Sequence, residues 1–166
     1  MNCRPYSTPP RRTWGWLKSG LLGAALALFG TAQAQVTVQI GTGTSTNSYQ
    51  PLYTCYGDNY SQQIYTAAEI TAGGGGAGDI SKIRFYYNSS GTNYANWSNW
   101  TVYLGNTTQE ALASNTGWIP VASMTQVFTG TIPTPVPGTW LELTLPTPFA
   151  YDGTNLVVAV DENSTS

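Results

Sequence analysis

The chain has no histidine, only two cysteines in 166 residues, and few charges: six basic and eight acidic side chains. Without histidine there is no Ser-His-Asp or Cys-His catalysis and no histidine-ligated zinc. Two thiols, Cys3 and Cys55, are too few for a thiolate metal cluster within the chain. Gly73, Gly74, Gly75 and Gly76 form a glycine run, but no Gly-Lys-Ser/Thr follows, so it is not a phosphate-binding loop. No apolar run is long enough to span a bilayer comfortably.

The most apolar run is short and sits where an export signal would place it. Arg4, Arg11, Arg12 and Lys18 precede residues 21–29, which are mostly Leu, Ala and Phe. Ala32-Gln33-Ala34 then supplies a small-residue cleavage site, with the cut expected between Ala34 and Gln35. Residues 1–34 therefore read as a signal peptide, and residues 35–166 as the mature module. The residues around Arg11-Arg12 fit twin-arginine export poorly, which favours general secretion. No lipobox-like cysteine sits at the cleavage site.

Removing the signal changes the charge balance. Lys82 and Arg84 are the only basic residues left, against all eight acids, for a formal charge of −6. Two cations cannot neutralise a run of phosphates or hold an anionic membrane, so neither nucleic acid nor a polybasic membrane contact is expected. Cys55 becomes the single thiol, either a small buried hydrophobe or the partner of a cysteine beyond residue 166.

What is abundant is strand and turn chemistry: Thr, Tyr, Val, Ile, Trp, Gly, Asn and Pro. Alternation predicts strands over 80–87, 100–104 and 141–145. Ile83, Phe85 and Tyr87 oppose Lys82, Arg84 and Tyr86. Trp100, Val102 and Leu104 share one face, as do Leu141, Leu143 and Leu145. Residues 156–160 are apolar on both faces, as in a strand covered on both sides. Weaker strand signals cover 36–40, 51–56, 62–66 and 124–130, and residues 66–70 can form one helical turn. Pro133, Pro135, Pro137 and Gly138 make a stiff connection, and Asp152-Gly153 marks a turn. The fold expected is an all-β antiparallel sandwich, jelly-roll-like. It is expected to be incomplete at the C-terminus, because the chain stops just after its most apolar strand.

Five stretches in order carry a resemblance: NSYQPLYTCYGDNYSQQIYTAAEI (47–70), GDISKIRFYYN (78–88), NWTVYLGNTT (99–108), QVFTGTIPTP (126–135) and GTWLELTLPTPFAYDGTNLVVAVDENS (138–164). They resemble N-terminal modules of large secreted proteins of Bacteroidota-type bacteria, which often carry a type IX secretion sorting domain far downstream. The resemblance implies a jelly-roll-like sandwich beside fibronectin-type or adhesin-type modules, with neighbouring domains of the same chain as partners. It brings no site residues with it.

Three functional readings follow. The first is a non-catalytic structural or adhesive module of a multidomain extracellular protein. The second is a carbohydrate-binding module for polysaccharide or cell-surface glycan. It rests on Asn93, Tyr94, Asn96 and Trp97, because rings stack on sugar faces and amides both donate to and accept from hydroxyls. Calcium is the one cofactor considered, with Asp152, Asn155 and Asp161 as hard oxygen donors, though no EF-hand spacing is present. Their plainer reading is a turn and a solvated terminus that also includes Glu162. The third reading is an accessory piece of a secreted hydrolase, which needs two carboxylates roughly 5–9.5 Å apart in a cleft. Six N-x-S/T matches begin at Asn59, Asn88, Asn96, Asn99, Asn106 and Asn163, as expected by chance in a Thr- and Asn-rich chain.

Overall fold

The computed structural model describes residues 35–43, 45, 50–51, 58–88 and 99–164, and all of them belong to one unit, Gln35–Ser166. Six strands, β1 (Asp58–Tyr65), β2 (Gly78–Tyr87), β3 (Trp100–Thr107), β4 (Thr125–Gly130), β5 (Thr139–Tyr151) and β6 (Asn155–Asn163), make up two sheets. One has the order β1-β6-β3-β4 and the other is the pair β2-β5. Among the described residues every pairing is antiparallel. The fold is an all-β sandwich, as the sequence predicts.

The pairings nest: β3 pairs with β4, β2 with β5, and β1 with β6. A long hairpin rolled over on itself has this arrangement, which is the basis of the jelly-roll likeness. Between β3 and β6 the rolled ends meet and close the four-stranded sheet.

Alternation decides what lies between the sheets. Trp100, Val102 and Leu104 of β3 are fully buried, and Leu156, Val158 and Val160 of β6 lie beside them. Leu141, Leu143, Leu145, Phe149 and Tyr151 of β5 face them from the other sheet. Phe85 meets Trp100 edge-on at 6.4 Å between ring centroids. On the open face of the small sheet, Glu142 receives Lys82 Nζ and Arg84 Nη2, each at 2.6 Å. The face assignments predicted for β2, β3 and β5 hold.

Two details shape β5. Its pairing with β2 jumps from Thr144 opposite Lys82 to Phe149 opposite Ile80. Pro146 and Pro148 lie in the skipped stretch and have no N–H to give a ladder. These prolines instead lie against β4. The turn from β5 to β6 is the predicted Asp-Gly turn. Gly153 has φ +91°, a backbone region that side chains disfavour, and Asp152 Oδ1 accepts from Thr154 N at 2.9 Å.

The predicted helical turn is α1 (Ala67–Ala72), and its start is a capping box: Thr66 Oγ1 accepts from Glu69 N, and Glu69 Oε2 accepts from Thr66 N. One expectation is corrected. Residues 36–40 form no strand. They run extended, with Val38 and Ile40 packed on the core and Val38 set against the turn at Gly73 and Gly75. Strand 156–160 is an interior strand, flanked by β1 and β3. Among the described residues the other sheet has two strands, β2 and β5. Of the predicted strand 51–56, residues 52–56 lie outside the described residues.

Candidate functional site

Val157 and Ala159 point to the outer face of the four-stranded sheet, yet both are fully buried. The segment between β3 and β4 folds back and covers them. Gly105 of β3 faces the same way. A Cβ there would stand 3.0 Å from Val157 Cγ1 and 3.1 Å from Met124 Cγ, so glycine admits the covering segment.

One side chain ties that segment down. Gln62 of β1 points outward and is 3% exposed. Its Nε2 donates to Ile119 O at 2.7 Å, and its Oε1 accepts from Ile119 N at 2.9 Å. The amide thereby holds both backbone groups of Ile119, as a neighbouring strand would. Nε2 also donates to the Tyr60 hydroxyl at 2.6 Å. Burial raises the Tyr60 pKa, so the phenol stays neutral.

Anchoring Ile119 fixes the residue before it. Trp118 follows a turn in which Gly117 N donates to Ser114 O at 3.1 Å. Its ring stands edge-on to Tyr60, with centroids 5.3 Å apart and planes at 77°, yet it remains 43% exposed. The two rings border an open-sided cleft of about 390 Å³, lined also by Gln50, Gln62, Leu112, Ser114 and Asn115. Among the described residues, no charged side chain lines it.

The residues singled out from sequence are placed differently. Asn93, Tyr94, Asn96 and Trp97 lie outside the described residues, as do Cys55 and Ala34. Gln35 is described, and its amide donates to Ser81 Oγ at 2.8 Å. The three residues considered for calcium are not brought together. Asp152 Oδ1 accepts from both Thr154 N and Thr154 Oγ1. Asn155 Oδ1 accepts from Ala67 N at 2.7 Å, and its Nδ2 donates to Gln109 O at 2.9 Å, joining α1 to the β3–β4 segment. Asp161 lies six residues further along β6, roughly 20 Å at strand rise. Among the described residues no three His, Cys, Asp or Glu side chains group as metal ligands.

Glu162 is also corrected: it belongs to the core, not to a solvated end. It is fully buried, paired with Trp100 on one side and Asn59 on the other. Oε1 accepts from Ser164 N at 2.7 Å, while Oε2 has no partner among the described residues.

The other well-placed acids do local work. Backbone and side-chain bonds from Thr66 lower the pKa of Glu69, bonds from Lys82 and Arg84 lower that of Glu142, and bonds from Thr154 lower that of Asp152. Each group releases its proton more readily folded than unfolded. Their contribution is therefore complete above the ordinary carboxylate range, around pH 4, and is lost as pH falls through the lower folded values. The urea midpoint is expected to be level from neutral pH down to about pH 5 and to fall below about pH 4. Glu142→Gln should make that fall shallower. An identical acid limb in the variant would remove Glu142 from the explanation.

Comparison with known protein families, curated proteins and solved structures finds no match for the chain. The Tyr60–Trp118 cleft was not among the sites read from the sequence. Its signal was slight: a tryptophan between Gly117 and Pro120, outside every alternating pattern.

Proposed function

We propose that the chain is a non-catalytic structural or adhesive module of a larger secreted protein, exported through residues 1–34. The observation that supports this most is the use made of its acids. Glu69 caps α1, Glu142 holds both basic residues of segment 35–166, Asp152 closes a turn, and Glu162 lies in the core. Each of these four acids is committed to a local partner or a place within the fold. The resemblance to N-terminal modules of Bacteroidota-type secreted proteins points the same way, with neighbouring domains as partners.

Export and attachment test the proposal together. Mass spectrometry of the extracytoplasmic protein should find a chain beginning at Gln35. Deleting residues 35–166 from the secreted protein should reduce attachment of the producing cells without lowering their hydrolytic activity. An intact leader on cytoplasmic protein would overturn the export reading. Lost hydrolysis with unchanged attachment would overturn the functional one.

A further inference from the structure

We infer that the cleft between Tyr60 and Trp118 is a binding site for a neutral sugar ring. This goes beyond the module's structural role and stands or falls separately from it.

Four observations converge on the site. Trp118 presents nearly half its surface to solvent, although Ile119 beside it is buried and clamped. An indole held at a fixed angle and left open is a preorganised platform, because little conformational freedom remains to be lost on binding. Sugar rings carry an apolar face of C–H groups that packs on such a surface, while their hydroxyls need groups that both donate and accept. Gln50, Ser114 and Asn115 supply amide and hydroxyl chemistry at the same cleft. The Tyr60 oxygen already accepts from Gln62, which leaves its own hydrogen to be donated.

Charge narrows the ligand class. Among the described residues no cation lines the cleft, and the basic residues of segment 35–166, Lys82 and Arg84, are both held by Glu142 on the other sheet. Asp161 acts on Tyr60 as a nearby negative charge. A uronate or sulfated sugar would meet a weakly negative site with no counter-ion, whereas a neutral sugar loses nothing there. The volume, about 390 Å³, falls in the range of small-ligand clefts, roughly 300–1,000 Å³. Its open side lets a longer chain run past the bound ring.

Affinity electrophoresis of the full chain tests this, in gels containing neutral glucan, mannan, galactan or xylan, with polygalacturonate as the acidic comparison. At least one neutral polysaccharide should retard the protein, and polygalacturonate should not. Trp118→Ala should weaken retardation about ten-fold or more, while Trp118→Phe should keep most of it. Competition by soluble oligosaccharides of increasing length separates a free sugar from a polymer surface as the source, and either result supports the site. If Trp118→Ala unfolds, Asn115→Ala at the exposed wall reads the same contact and should also weaken retardation. No retardation of the folded chain by any neutral polysaccharide overturns the inference. So does binding that survives both variants, or binding lost only in Trp97→Ala, which would place the sugar on the 93–97 stretch instead.

Discussion

Trp100→Ala is expected to lower the unfolding free energy by about 3–5 kcal/mol, the usual cost of emptying a fully buried aromatic position. Trp100 is fully buried in β3, an interior strand, and its ring meets Phe85 of the opposite sheet. Val102, Val160 and Leu143 belong to the same buried cluster, and their backbones are fixed in the ladders on either side of it. The indole also lies beside Glu162, so its removal would change the surroundings of a buried carboxylate as well as leave a void. Trp140→Ala is the control. That ring stacks edge-on with Tyr86 on the open face of the small sheet and is 44% exposed. Its loss should cost about 1 kcal/mol or less. Urea unfolding followed by circular dichroism compares the two. Equal losses would mean that the sandwich interior is not built around Trp100.

Gln62→Ala should cost about 2–4 kcal/mol, with the damage concentrated in one segment. The substitution removes the acceptor of Ile119 N and the donor to Ile119 O together, and each is left unsatisfied in a buried place at about 1–3 kcal/mol. Once that clamp opens, the cover over Val157 and Ala159 loosens and their apolar surface meets water. Gln62→Glu should do no better, because it loses the donor and adds a charge under the same cover. Hydrogen exchange at residues 108–120 should accelerate far more than exchange in β3 or β6. Uniform acceleration across all strands would show that the amide supports the whole sandwich instead of this segment.

Much of the fold was legible in the sequence for a simple reason. Inward positions repeat every second residue, so Trp100-Val102-Leu104 and Leu141-Leu143-Leu145 announce their faces without reference to partners. The turn at Asp152-Gly153 and the helical turn after Thr66 were legible because their chemistry is local. Partner choice was not. Alternation says which face is buried but not which strand lies alongside, so the nesting of β1 with β6 and β2 with β5 could not be read. The largest misreading, Glu162, has the same root: an acid near the end of a polar-looking tail reads as solvated until its neighbours across the sheet are known. Gln62 failed similarly, since an outward polar residue looks like surface unless a distant segment returns to cover it. The candidate cleft joins Tyr60 to Trp118 across that return, a proximity that no local pattern encodes.

The pairing of Asp58 with Asn163 has a mechanical consequence. Facing residues in an antiparallel ladder stand roughly 5 Å apart, so polypeptide enters β1 and leaves β6 at almost the same point. The chain ahead of β1 is not free at that point, because Val38 and Ile40 are packed on the core and Val38 lies against the turn at Gly73 and Gly75. A pull applied at Asp58 and Asn163 themselves would open the ladder pair by pair, like a zipper, whereas a pull from Gln35 would first have to strip Val38 and Ile40 from the core.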